Sequence, residues 1–141
     1  MTRRSLLAAF FTVSAVLLGG QSSLAQTTKP AKLIDIDQFD KLRQEKNHVI
    51  LDVRTAQEFK QGHVADAVNI DINDPQFTKK VEALDKSRTY LVHCAKGVRS
   101  ARVAKIMSPL GFEVLDYKGG FDEWKKSGKP IVVGELKPAA K

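Results

Sequence analysis

Three short runs rich in apolar, β-branched and aromatic residues constrain this chain more than anything else in it: HVILDV at 48–53, TYLVH at 89–93 and FEVLDY at 112–117. Each has the length of a strand. The first is continuously apolar up to its carboxylate, the pattern of a strand buried on both faces of a parallel sheet. What lies between them reads as helix. Thr55-Ala56-Gln57-Glu58 has the spacing of a capping box, in which the Thr hydroxyl and the Glu carboxylate each satisfy a free backbone N–H at a helix start. That helix stops at Gly62. Asp74-Pro75 is a cap followed by proline at the first helical position, opening a helix through about Leu84. Residues 100–110 are helical in pattern, with Val103 and Ile106 as core candidates, and Pro109 terminates or kinks the end. Smaller pieces fill the rest: strands at 33–34 and 67–70, a helix capped by Asp37 with Phe39 and Leu42 on one face, a helix over 121–126 and an extended piece at 131–133. Strands alternating with helices at this rhythm predict an α/β domain with a mostly parallel sheet.

The two ends differ from this interior. Arg3 and Arg4 precede an apolar run of 13 residues, Leu6 to Leu18, and then the small-residue site Ser23-Leu24-Ala25. A charged start, a run too short to span a bilayer comfortably and a small-x-small site describe a secretory signal peptide over 1–25, cleaved near Ala25. The expected location is therefore periplasmic or secreted, with the membrane met only during export. An uncleaved anchor is the alternative, and the paired arginines also resemble a twin-arginine signal. Residues 26–32 form a polar lead-in, 33–133 one domain, and 134–141 a loose tail. Cleavage lowers the formal charge from +7 to +5 by removing Arg3 and Arg4. The remaining basic residues are interspersed with acidic ones and form no stripe interleaved with aromatics, which argues against a nucleic-acid partner and leaves a mild field favouring small anions.

Cys94 is the single cysteine of the chain. Exported proteins that use cysteine for stability carry it in pairs, so a lone thiol is either buried and inert or performs chemistry. Its surroundings favour chemistry. Cys94 falls just after a strand and just before a helix, where first-turn amides lack intrahelical partners and the helix dipole is positive, so a thiolate is favoured over a thiol. Gly97 permits backbone dihedrals closed to other residues, letting consecutive N–H groups turn inward as an anion-binding nest. Lys96 and Arg99 add positive charge. His93 would point to the opposite face of a continuing strand and reads as a packed or hydrogen-bonded core residue before a general base. His63 likewise reads as a structural hydrogen-bonding residue.

Three separated stretches, in order, then carry a family resemblance: LDVRTAQEFKQGHVADAVNI (51–70), YLVHCAKGVRSARVA (90–104) and GFEVLDYKGGFDEWKKSGKPI (111–131). Together they resemble the rhodanese domain of the sulfurtransferase superfamily. The resemblance implies a three-layer sandwich with an about five-stranded, mostly parallel sheet flanked by helices. It implies that Cys94 is the nucleophile and persulfide carrier, and that Ala95, Lys96, Gly97, Val98 and Arg99 form the active-site loop, with Lys96 and Arg99 as binders of an anionic donor such as thiosulfate. A thiol or cyanide, or a protein sulfur acceptor, would take the sulfur on, with no cofactor and no metal ion. Asp52, Arg54 and Glu58 match supporting positions, with an Arg54–Glu58 ion pair expected to steady the helix near the site. Gly119, Gly120 and Trp124 match a further signature, the glycines for close chain approach and the indole for packing. Ala65-Asp66 departs from the family, standing where a Pro-Gly-like turn is usual, as does the interruption at Ser108-Pro109.

Three other readings compete. His-Cys followed by Arg-Ser resembles the cysteine-dependent phosphatase signature, except that four residues and not five separate Cys94 from Arg99. A phosphatase loop must enclose a tetrahedral phosphoryl group, and a sulfurtransferase loop only one added sulfur; the resemblance implies the same split. A phosphatase also needs a carboxylic acid to protonate the leaving alkoxide, and none is assignable. A non-catalytic rhodanese-like carrier or binding module typically lacks the cysteine, and thiol-disulfide exchange usually needs a second one.

Overall fold

The computed structural model describes residues 29–134; the expected signal peptide, the first part of the lead-in and the tail beyond Gly134 lie outside the described residues. Its elements in chain order are β1 (Lys32–Ile34), α1 (Ile36–Leu42), β2 (His48–Asp52), α2 (Ala56–Gln61), β3 (Val68–Asn69), α3 (Phe77–Glu82), β4 (Thr89–His93), α4 (Val98–Met107), a 3-10 turn (Ser108–Leu110), β5 (Glu113–Tyr117) and α5 (Gly120–Lys126). The five strands form one sheet in the order β1-β5-β4-β2-β3, and every pairing is parallel.

Strand alternation divides the interior into two cores. Leu51, Tyr90, Val92 and Val114 face one side and pack with Phe77 and Val81 of α3 and Val103, Ala104 and Met107 of α4. Ile50, Leu91 and Tyr117 face the other, against Phe39 of α1 and Phe121 and Trp124 of α5. Burying side chains of this size contributes roughly 1.5–3 kcal/mol each, which is why the sheet is covered on both faces. Trp124 is fully buried, its Nε1 donating to the Pro130 carbonyl at 2.9 Å.

The capping box of α2 forms as its spacing predicts: Glu58 N–H donates to Thr55 Oγ1 at 3.2 Å and Thr55 N–H to Glu58 Oε2 at 2.9 Å. Elsewhere the local chemistry differs from the expectation. Asp35, not Asp37, caps α1, with Gln38 closing the box, and Asp37 lies in the first turn. Asp74 does not cap α3. Its Oδ1 accepts from Gln76 N–H at 2.7 Å in an Asx turn, and the helix begins at Phe77. Ile106 is no core residue: Ser100, Val103, Ala104 and Met107 form the buried face of α4, and Ile106 lies on its flank, 37% exposed. Pro109 ends the α-helix, and the chain tightens into a 3-10 turn at Ser108. The extended piece at 131–133 contributes one antiparallel bridge, His63 to Val132. At the departure from the Pro-Gly-like turn, Asp66 takes φ 63°, the left-handed conformation a glycine would otherwise occupy.

The topology locates the site. From β2 the chain moves outward to β3, and from β4 it moves the opposite way to β5. Right-handed crossovers in opposite directions place α2 and α4 on opposite faces, leaving a crevice at the carboxyl ends of β2 and β4. Cys94 directly follows β4 at that crevice.

Candidate active site

Cys94 continues the alternation of β4 on the α4 side and is 1% exposed. Its Sγ accepts a hydrogen bond from the Gly97 N–H at 3.1 Å. Gly97 caps α4 with φ 88°, a left-handed conformation that turns the chain from strand end into helix within three residues. A Cβ there would stand 2.2 Å from the Lys118 carbonyl oxygen, so the position needs glycine for space as well as for dihedral. The fully buried Ser100 donates from Oγ to the Gly97 carbonyl at 3.1 Å, pinning the same turn from inside.

The other wall of the loop is α5. Phe121 N–H donates to the Cys94 carbonyl at 2.8 Å and Asp122 N–H to the Ala95 carbonyl at 3.0 Å. With these carbonyls taken by α5, the loop directs the Gly97 N–H toward the sulfur. Gly120, at φ 66°, allows the approach, since a Cβ would lie 2.4 Å from the Ala95 oxygen and 2.7 Å from the Cys94 oxygen. Gly120 thus marks a close approach, as the family resemblance implies. The two N–H donors behind it are backbone groups with no residue-type signature.

The charged residues arrange themselves differently from the expectation. Arg54 does not pair with Glu58. It forms a buried pair with Asp52, Nε to Oδ1 at 3.0 Å and Nη2 to Oδ2 at 2.6 Å, donates to the Gly62 carbonyl at 2.8 Å and lies 4.0 Å from the Phe121 ring centroid. Two residues apart at a strand end, Asp52 and Arg54 point the same way, whereas Glu58 rises on the first turn of α2. Glu58 meets Arg99 instead, in a bidentate pair at 2.8 and 2.7 Å that ties α2 to α4 across the crevice. The Arg99 guanidinium, with Thr55 adding further donors, holds the Glu58 carboxyl down at about 2 despite partial burial. Arg99 is correspondingly raised above the usual arginine value, by Glu58 first and by the adjacent Cys94 sulfur in addition. Lys96 and Val98 are exposed on the loop.

His93 is fully buried on the face opposite Cys94, edge-on to Phe39 at 5.7 Å, with Nδ1 3.2 Å from the Cys94 carbonyl oxygen. Burial lowers its pKa below the ordinary imidazole value, opposed by Asp52 at 3.8 Å. A sealed imidazole on the far face is a packing residue, as its strand position predicts. His63 is also structural: it stacks on Phe59 at 3.7 Å, with Nδ1 2.9 Å from the Phe59 carbonyl.

Beside the loop lies a cavity of about 220 Å³ whose lining includes Arg54, Glu58, Ala95, Phe121 and Lys125. Lys125 and Gln61, also on its wall, have no motif spacing relative to Cys94 and are visible only once α2 and α5 are folded together. Asn69 is another addition: its side-chain amide donates to the Asp52 and Arg54 carbonyls at 2.9 and 2.8 Å and fixes the turn after β2.

Comparison with known proteins places this arrangement. The rhodanese-like domain family model matches residues 35–127, from the cap of α1 through α5. A putative sulfurtransferase, YtwF of Bacillus subtilis, is 32% identical over 91 residues, covering 64% of this chain and 86% of that protein. Thiosulfate sulfurtransferase 18 of Arabidopsis thaliana is 31% identical over 132 residues, covering 84% of this chain and 97% of that protein. Among solved structures, a rhodanese-related protein of Thermoplasma volcanium superposes with a TM-score of 0.66 at 31% identity, covering 72% of this chain and 98% of that chain. With a matching sheet, a strand-loop-helix cysteine and the family model spanning the elements that build its loop, the chain belongs to the rhodanese-like domain family.

Proposed function

We propose that this protein is a sulfurtransferase that carries a sulfane sulfur on Cys94, from an anionic donor such as thiosulfate to cyanide or a thiol. The observation that carries the reading is the Gly97 N–H on Cys94 Sγ at the start of α4, beside a guanidinium already oriented by Glu58. A thiolate there is stabilised by that amide, by the positive end of α4 and by Arg99. It attacks the outer sulfur of thiosulfate; the S–S bond of the donor breaks, sulfite leaves with the bonding pair, and a persulfide forms on Cys94. The acceptor then attacks the outer sulfur, forming thiocyanate from cyanide, and the thiolate is restored. The added sulfur extends about 2 Å from Sγ, one S–S bond length. Lys96 and Arg99 supply the field that draws the anionic donor.

The carboxyl nearest Arg99 bears on the phosphatase alternative. Glu58 is held ionised down to about 2, so near neutral pH it has no proton to give a leaving alkoxide. The names of the relatives point the same way, toward sulfur. Thiocyanate formation from thiosulfate and cyanide tests the proposal: the wild type turns over, Cys94→Ser does not, and neither hydrolyses a phosphate ester. Cys94-dependent phosphate release without thiocyanate would reject it. We further propose export, with the mature chain beginning at Gln26, a result N-terminal sequencing of the purified native protein reads directly.

A further inference from the structure

The α3/α4 side of the sheet is not covered out to its β1 edge. A groove of about 480 Å³ opens there between α4 and its 3-10 turn on one side and residues 29–33 on the other. It shares no lining residue with the cavity beside the cysteine loop. Pro30, Leu33, Ala101, Ala104 and Pro109 give it apolar walls, and Leu33 is 64% exposed although it sits in a strand. Its register partner across the β1–β5 ladder is Asp116, which faces the same way.

Asp116 and Ser108 line this groove and are 3% and 8% exposed. Asp116 Oδ1 and Ser108 Oγ are sealed from water and have no hydrogen-bond partner among the described residues. Buried polar side chains are otherwise almost always paired, so two orphans on one apolar groove mark a place built to meet a partner other than the described residues. The Ser100 hydroxyl lies within hydrogen-bonding reach of the Asp116 carboxyl as well as of the Gly97 carbonyl, 3.1 Å away, so Oδ1 is the Asp116 oxygen left without a partner among the described residues. The Asp116 carboxyl turns about a broad, two-fold torsion and can present either oxygen to the groove. Lys105 at the rim opposes a cationic ligand, and the other rim cation, Lys29, is paired with Glu113 at 3.6 Å. Burial also raises the Asp116 carboxyl above its ordinary value, which suits a neutral donor over an ammonium.

We propose that this groove binds a small, uncharged apolar molecule carrying one O–H or N–H donor, of the class of phenol or indole. The donor bonds to Asp116 and the apolar body fills the space between Leu33, Ala101, Ala104 and Pro109. Titration of the full chain with phenol, followed by amide shifts, tests it, with toluene as the same shape lacking the donor. Phenol should shift the amides of Leu33, Ala101, Ala104 and Asp116 saturably, and toluene should bind at least tenfold more weakly. Ala101→Leu, a substitution at a partly exposed helix position, should fill the groove and abolish the phenol shifts while the rest of the spectrum stays folded. No saturable shifts with phenol, equal binding of toluene, or phenol shifts that persist in Ala101→Leu would each overturn the proposal.

Discussion

Glu58 and Arg99 form an ion pair beside the cysteine loop whose contribution to stability depends on pH. The folded pKa of Glu58 lies below its unfolded value, so the pair stabilises the fold fully above about 4.5 and loses that contribution as pH falls through about 2. Linkage alone would give about 3 kcal/mol, and solvent screening of a pair that is a quarter to a third exposed reduces it to about 1 kcal/mol. Glu58→Gln should therefore lower the unfolding free energy by about 1 kcal/mol near neutral pH and flatten its decline between pH 4.5 and 2, as denaturant titrations at several pH values would read. An unchanged acid profile would remove the pair from the account. Lys96 acts differently, as an exposed cation without a fixed partner among the described residues. Lys96→Ala should raise the KM for thiosulfate about fivefold at low salt, less as salt is added, and leave kcat nearly unchanged. An unchanged KM would remove Lys96 from the site.

At the scale of elements, the cysteine loop is shaped by α5 as much as by its own residues. Gly120 lets the N-terminal amides of α5 reach the Cys94 and Ala95 carbonyls, and a methyl group there would overlap both. Gly120→Ala should cost about 2–4 kcal/mol and reduce turnover sharply, because the loop must move to relieve the overlap. Gly111 is the control: it has φ 87° but open space around its Cβ position, so Gly111→Ala should cost only about 1 kcal/mol and spare activity. Equal effects of the two substitutions on activity, measured with thermal or chemical unfolding alongside, would show that α5 does not hold the loop. The strands and the α2 cap were legible because their signals are local: β-branched runs, a Thr-x-x-Glu spacing, a Gly stop. The start of α3 is not legible in the sequence, because Asp-Pro fits an Asx turn as well as an N-cap and only packing of Phe77 decides between them. The partner of Glu58 was misread because Arg54 is four residues away in sequence, while Arg99, 41 residues away, is brought to it by the crossovers.

The molecule as a whole responds to acid through its interior. His93 lies between the α1 and α5 packing and the sheet, fully buried, and folding favours its neutral form. Its folded pKa is below the unfolded one, so the cost appears as pH drops below about 6.5, where the unfolded chain takes up a proton that the folded chain refuses. Unfolding free energy should fall from about pH 6.5 downward with a slope of at most about 1.4 kcal/mol per pH unit, and His93→Gln should flatten it. The parallel sheet, the two cores and the position of the cysteine at a strand–helix junction follow from patterns visible along the chain. The burial of the thiol and the groove at Asp116 do not, because both depend on which helices cover which strands.

Sulfur transfer through Cys94 requires that its thiolate accept a single sulfur atom. Intact mass spectrometry of the protein after incubation with thiosulfate, before any acceptor is added, reads it directly. The expected result is a gain of one sulfur atom that cyanide removes and that Cys94→Ser never acquires. A wild-type mass that does not change, or a gain that persists in Cys94→Ser, would contradict it.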